Sequence, residues 1–142
     1  MGRAMTESRD LMRRIAFGYA IALAIAAALN YIPGLTDAQG RTFGIFALDI
    51  YDDSLHLASA LWALWAGWSS RSAAVTFLKI FGTLYFLDGL LGVFTGVGFL
   101  DLTIFLIGPQ PGSAMMKFLA SAPHLVLGGF AMFAGFVLAK RS

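Results

Sequence analysis

The chain has 142 residues, of which 58% are hydrophobic and 13% are charged, and its mean hydropathy is +0.76. Soluble domains have about one half apolar and about one quarter charged residues, so this composition argues against an ordinary water-soluble domain. Cysteine is absent, which excludes a disulfide framework, an iron–sulfur centre and thiol catalysis. The basic residues form no stripe, so we expect no nucleic-acid partner.

Four apolar segments follow one another along the chain, separated by charged or Pro- and Gly-containing stretches. They cover residues 15–32, 52–68, 75–97 and 114–139. Each approaches or exceeds the length of about 20 residues that a helix needs to cross a bilayer. The backbone of a span has to satisfy its own hydrogen bonds, which requires helices. We therefore predict an all-α membrane protein, a four-transmembrane-helix bundle forming a single membrane domain (residues 1–142) whose main partner is the lipid bilayer.

The lysine and arginine residues predict the orientation of these spans. Eight of the ten lie at one end, namely Arg3, Arg9, Arg13, Arg14, Arg71, Lys79, Lys140 and Arg141. The other end has two, Arg41 and Lys117, and carries Asp37, Asp49, Asp52, Asp53 and Asp101. The positive-inside rule then predicts that both termini are cytoplasmic. An alternative interpretation treats the first span as a cleaved signal peptide, because two arginines precede an apolar stretch that ends in alanines.

A thirteen-residue pattern occurs twice, and each copy begins with one of the two histidines of the chain. HLASALWALWAGW starts at His56 and HLVLGGFAMFAGF starts at His124, and the two align without a gap with five identical positions. The spans before them share a Phe-Gly pair, at residues 17–18 and 81–82. We therefore predict two parallel two-helix repeats, over about residues 12–70 and 75–140, related by an axis along the membrane normal.

On a helix, the repeated pattern places small residues on one narrow face and aromatic residues on the opposite side. The small-residue faces are Ala60, Ala63 and Gly67 in the first copy and Gly128, Ala131 and Gly135 in the second. Small residues let helices approach closely in lipid, where van der Waals fit drives association. We predict that these six positions pack against other helices and that the aromatic residues face lipid or a partner subunit.

The two histidines raise three hypotheses. In the first, His56 and His124 ligate a b-type haem, as in an electron-transfer subunit. In the second, Asp52 and His56, four residues apart on one helix, contribute to a metal site with His124. In the third, no cofactor is bound and both histidines form hydrogen bonds across a helix interface; we favour this one.

Asp88 and Tyr85 are predicted to be buried polar residues of the third span. An ionisable side chain within a span is costly and faces the bundle interior. We expect the Asp88 carboxyl group to donate a hydrogen bond to a neighbouring helix. The alternative is that Asp88 handles protons or a substrate, which in so small a chain requires an oligomeric proton-coupled transporter.

Residues 45–57 resemble the signature of an uncharacterised bacterial family of four-helix integral membrane proteins, known only as a domain of unknown function. That family has an F-x-L run followed by D-N-x-L-H-L, where this chain has DDSLHL at residues 52–57. The family's Y-x-x-x-G-x-x-G helix is matched by Tyr85, Gly89 and Gly92. Asp53 replaces the usual asparagine, and Asp88 an apolar residue. The resemblance implies a multi-pass protein of the bacterial cytoplasmic (inner) membrane and no known reaction.

The sequence contains no phosphate-binding loop, no paired carboxylates and no nucleophile beside a base. We therefore expect a non-enzymatic protein, a structural or accessory membrane component. Such a component packs against copies of itself in a homo-oligomer or against other proteins in a larger membrane complex.

Overall fold

The computed structural model describes residues 2–141, with side chains from Leu11 onward. Helix α1 is Gly2–Ala28, followed by a 3-10 turn at Leu29–Tyr31; α2 is Ile50–Ser69, α3 is Arg71–Thr95, α4 is Thr103–Leu106 and α5 is Ala114–Phe133. A π-helical segment, Ala134–Leu138, continues α5 into α6, Ala139–Arg141. In this part of the chain β-type pairing is limited to two isolated bridges, Thr36–Thr42 and Thr42–Phe46.

Within the described residues, three helical stretches are long and apolar enough to cross a membrane. They are Leu11–Tyr31, Arg71–Thr95 and Ala114–Arg141. The prediction of an all-α protein is thus confirmed, and the three stretches support a membrane protein. Helix α2 has 20 residues but is not among the three, because Asp52, Asp53 and His56 make its first two turns polar. The count of four spans stays a prediction.

Local chemistry sets the ends of α2 and α3. Asp49 caps α2, accepting hydrogen bonds from the backbone N–H groups of Tyr51 and Asp52, and the Asp52 carboxylate accepts one from the Asp49 N–H in return. Ser70 separates α2 from α3 and caps α3 with its side chain. Helix α3 ends at Gly96, whose φ of 82° is the left-handed conformation that glycine adopts freely.

The long helices pack mainly in two consecutive pairs. Contact is most extensive between α3 and α5, followed by α1 and α2, while α3 also touches α1 and α2. We call α1–α2 the first hairpin and α3–α5 the second hairpin. The boundary between the two hairpins, at Ser70, matches the end of the first predicted repeat, but the two repeats stay a prediction.

Aromatic rings fill the space between the first hairpin and α3. Tyr19 and Phe81 meet edge to face with their ring centroids 5.3 Å apart, and Phe81 stacks on Phe77 at 4.8 Å. Trp62 meets Phe77 edge to face at 4.9 Å. The expectation that the aromatic side of the repeat faces outward therefore fails for Trp62, whereas Trp65 and Trp68 are exposed.

Two arginines join helix ends at one end of the bundle. Arg13 donates to the backbone carbonyls of Gly67 (2.7 Å) and Trp68 (2.9 Å), at the end of α2. Arg71, at the start of α3, donates to the Ala139 carbonyl at 2.6 Å. We call this the basic end. The loops of residues 32–49 and 96–113 lie at the opposite end of the helices.

Candidate functional site

Polar side chains of three helices meet in the half of the bundle away from the basic end. Six of them are buried and His124 is partly buried. We call this set the polar cluster, which consists of Asp53, His56, Ser59, Tyr85, Asp88, Ser121 and His124. The structure therefore brings together the two histidines, Tyr85 and Asp88, which the sequence singled out separately.

Asp88 connects three parts of the second hairpin. Its Oδ2 atom lies 2.5 Å from Nδ1 of His124 on α5. Its Oδ1 atom accepts hydrogen bonds from the backbone N–H groups of Phe99 (2.8 Å) and Leu100 (2.9 Å), in the loop after α3. A Cβ atom at Gly98 would collide with this carboxylate, so the close passage of the loop requires glycine. Asp88 therefore contacts the neighbouring helix α5 through His124 and also accepts hydrogen bonds from a loop, which the sequence did not predict; donation by its carboxyl group stays a prediction.

The two histidine rings contact each other edge to face, with centroids 5.8 Å apart and an interplanar angle of 89°. The ring of Tyr85 lies 4.7 Å from that of His124, centroid to centroid. The hydroxyl of Tyr85 is 2.9 Å from the hydroxyl of Ser59 on α2. These contacts link the first hairpin to the second through side chains of the cluster.

Direct contact between the imidazoles does not favour haem. Two axial histidines approach an iron from opposite faces of a porphyrin, which would have to separate the rings of His56 and His124. A cavity of about 320 Å³ does exist, but apolar residues of α1 and α5 such as Ile15 and Phe130 line it, and neither histidine does. Haem ligation stays a prediction without support from this geometry.

The geometry offers a metal ion no more support. Among the described residues, no group of three or more His, Cys, Asp or Glu side chains could hold one. Asp52, the carboxylate predicted to act with His56, takes part in the cap of α2 and also interacts with Asp101. Its place at the start of α2 is therefore explained by helix capping.

Asp53 and His56 contain buried polar atoms without partners. The two residues are 6% and 7% exposed. Within the described structure, neither carboxylate oxygen of Asp53 has a hydrogen-bond partner, and Nδ1 of His56 has none either. The Tyr31 side chain lies near Asp53 and acts on it electrostatically. Buried polar groups are normally hydrogen-bonded, so these two side chains are exceptions in the interior of the protein. The sequence signal for this pair was the three-residue spacing between Asp53 and His56, which places both on one helix face.

All six predicted helix-packing positions are buried. Gly67 faces the backbone oxygen of Arg13 and the ring of Phe17 on α1. Gly128 faces the backbone of Gly82 and Phe86, and Gly135 faces Leu78 and Lys79, all on α3. Each small-residue face thus lies against the other long helix of its own hairpin.

Comparison with known proteins adds no identity. No family model matches the chain, and neither a curated protein nor a solved structure matches it. The resemblance to an uncharacterised bacterial family stays a prediction, and functional inference depends on the geometry described above.

Proposed function

We propose that the protein is a multi-pass protein of the bacterial cytoplasmic membrane in which α1, α2, α3 and α5 all cross the bilayer. Helix α2 packs against α1 and α3, both of which are long and apolar enough to span, and Ser70 alone separates it from α3. The charged side chains support cytoplasmic termini, because Arg13 and Arg71 lie at the same end of the bundle as the C-terminal Lys140 and Arg141.

Cysteine labelling tests this topology directly, because the chain has no cysteine of its own. Gln39→Cys lies in the loop before α2 and Ser69→Cys at the end of α2, and both positions are exposed. A membrane-impermeant maleimide added to intact spheroplasts should label Gln39→Cys. It should label Ser69→Cys only after the membrane has been permeabilised. Equal labelling of both without permeabilisation would show that α2 does not cross.

We propose further that the protein is a non-enzymatic accessory component of the membrane. The observation that carries this proposal is the structural role of Asp88. Both of its carboxylate oxygens contact other parts of the chain, namely the loop after α3 and His124 on α5. Among the hydrogen bonds of the described residues, none joins a hydroxyl group to either imidazole, so this geometry gives no support to a histidine-activated nucleophile. The same engagement of Asp88 gives no support to a transporter that exchanges protons or solute at this carboxylate.

The outward faces of both hairpins carry large aromatic side chains that suit contact with another protein or with lipid. Trp65 and Trp68 on α2, and Phe130, Phe133 and Phe136 on α5 and its π segment, are all exposed. Aromatic residues are enriched at protein–protein interfaces, and tryptophan and tyrosine also at the boundary between membrane and water. An accessory component is expected to use these faces against copies of itself or against a larger complex.

Photo-crosslinking in native membranes tests the accessory role. A photoreactive amino acid is placed at Trp68 or Phe133, with exposed Ile21 on α1 as the matched control at a lipid-facing position. We expect discrete cross-linked protein bands from the aromatic faces and lipid adducts alone from position 21. Lipid adducts alone from all three positions, together with a monomeric mass in detergent, would contradict an accessory role.

A further inference from the structure

A groove runs between α1 and α5, two long helices that belong to different hairpins and touch each other little. Its volume of about 320 Å³ is within the usual size range of ligand pockets. The groove exists because α1 presents small residues on this side. Nothing lies within 4 Å of a Cβ atom built at Gly18, and Ala22, one helical turn further along, is also exposed.

The walls of the groove are made of hydrocarbon. Tyr19, which lines the groove, is buried and donates its hydroxyl hydrogen to the Leu127 carbonyl. Val126 and Phe130 line the α5 side and are exposed, so the groove opens to the outside of the bundle. Both helices belong to stretches long and apolar enough to cross a membrane, so the opening faces lipid. Burying a polar solute there would cost free energy, whereas an apolar chain fits.

Exposed cations lie toward one end of the groove, the basic end. Arg14 precedes Ile15, which lines the groove, and lies one helical turn before Gly18, so its side chain leaves α1 at the rim. Long side chains on a helix lean toward its N terminus, which directs the guanidinium toward the membrane surface. Helix α6, the continuation of α5, adds the exposed Lys140 and Arg141 at the same end.

We propose that the groove binds one acyl chain of an anionic phospholipid and that Arg14 binds the phosphate of this lipid. The acyl chain lies against Gly18 and Ala22, and the phosphate lies at the basic end. A guanidinium has five N–H donors, so it can bind a phosphate group beside another contact. The site rests on the proposed placement of α1 and α5 in the bilayer and goes beyond the accessory role, on which it does not depend.

The charges favour a lipid over a second copy of the chain in this groove. Copies in one membrane are related by an axis along the membrane normal. If they met at this groove, two Arg14 side chains would come together at the same depth, and like charges repel. An anionic phosphate instead attracts Arg14, and each basic residue near a membrane surface contributes to such attraction.

Native mass spectrometry of the purified full-length protein tests the recognition of the phosphate. The protein is titrated in detergent with phosphatidylglycerol, which is anionic, or with phosphatidylcholine, which is neutral overall, both with the same acyl chains. We expect one phosphatidylglycerol per chain, bound about fivefold more tightly than phosphatidylcholine. Arg14→Gln should remove most of this preference. Arg41→Gln is the matched control, because it removes an exposed cation at the opposite end and should change the preference less than about twofold.

Filling the groove tests the binding of the acyl chain. Ala22→Leu places a larger side chain in the groove, and Ala24→Leu makes the same change at an exposed position on another side of α1. Ala22→Leu should lower the affinity for both lipids at least about threefold, because the leucine takes the place of the acyl chain and removes its dispersion contacts. Ala24→Leu should leave both affinities unchanged.

A phosphatidylglycerol with a photoreactive diazirine in its acyl chain locates the site in the native protein, which keeps the test independent of variants that fail to fold. After irradiation in liposomes, adducts should concentrate at residues 15–22 and 126–130. Adducts spread evenly over other exposed positions, such as Ile21 and Ile80, would overturn the proposal, as would equal binding of the two lipids or equal effects of the two leucine variants.

Two further outcomes separate this site from its alternatives. A dimer that Ala22→Leu dissociates and Ala24→Leu does not would assign the groove to a second copy and overturn the proposal. A monomer that retains phosphatidylglycerol through Arg14 would support the site and contradict the accessory role alone.

Discussion

Asp88 and His124 are 36 residues apart in the chain, and their side chains meet at 2.5 Å in the interior of the second hairpin. The same carboxylate binds the loop after α3 through the N–H groups of Phe99 and Leu100. One side chain therefore determines both how α5 lies on α3 and how the chain leaves α3. A carboxylate in a membrane helix is costly unless it is fully engaged, and here both oxygens are engaged.

Replacing Asp88 should destabilise the protein. Asp88→Asn keeps the size of the side chain but removes the charge that strengthens three contacts, and we expect a loss of about 1–3 kcal/mol in the free energy of unfolding. Circular dichroism during denaturation in mixed micelles measures it. Asp37→Asn is the control, because the exposed Asp37 carboxylate accepts hydrogen bonds from the nearby backbone N–H groups of Gln39 and Arg41 and should matter less. Equal losses would show that Asp88 contributes no more than an ordinary loop aspartate.

Close approach of α3 and α5 makes Gly128 sensitive to a single added methyl group. A Cβ atom there would lie 2.8 Å from the Gly82 carbonyl and closer still to the Phe86 nitrogen. Gly128→Ala should therefore cost about 1–3 kcal/mol of stability through overpacking. Gly18→Ala on α1 is the control: nothing lies within 4 Å of its added Cβ, so the higher helix propensity of alanine should stabilise the protein by up to about 1 kcal/mol. A harmless Gly128→Ala would contradict the tight α3–α5 packing.

The hydroxyl pair of Ser59 and Tyr85 should contribute coupled stability between the hairpins. The two oxygens are 2.9 Å apart in a buried position. Interhelical hydrogen bonds in membrane proteins average about 0.6 kcal/mol and reach about 1.7 kcal/mol. In a double-mutant cycle of Ser59→Ala and Tyr85→Phe we expect a coupling energy within that range. Additive losses, with no coupling, would mean that the hydroxyl groups do not stabilise one another.

Arg13 should hold the last turn of α2. It donates to two carbonyls there, which have no intrahelical partner, and its charge complements the helix dipole. Arg13→Met is expected to speed hydrogen–deuterium exchange in the last turn of α2 and to leave the last turn of α3 unchanged. Arg13→Lys keeps the charge but loses the two-pronged geometry, so it should restore part of the protection. Identical exchange in Arg13→Met and the native protein would show that the contact is not made in solution.

Periodicity alone predicted much of the packing. Small residues that follow His56 and His124 at successive intervals of three or four placed Ala63, Gly67 and Ala131 on interior faces, because spacing along a helix determines the direction of each side chain. Long apolar runs likewise predicted helices close to the observed bounds, such as 75–97 for Arg71–Thr95. Both inferences depend only on residues that are close together in the sequence, within a single helix.

Contacts between distant segments could not be predicted in this way. The partner of Asp88 depends on how α5 is rotated against α3 and on a loop that passes over the carboxylate at Gly98. Trp62 belongs to the aromatic side of its helix, yet it is covered by Phe77 because α3 lies beside α2 on that side.

The division into two hairpins has a mechanical consequence. Contact is extensive within each pair of helices and sparse between α5 and the first hairpin, where Tyr19 of α1 donates to the Leu127 carbonyl at 2.5 Å. We therefore expect the contacts within each hairpin to resist a pulling force more strongly than the contacts between the two hairpins. Pulling on one terminus with an atomic force microscope should extract the chain in two main steps, each releasing one pair of helices.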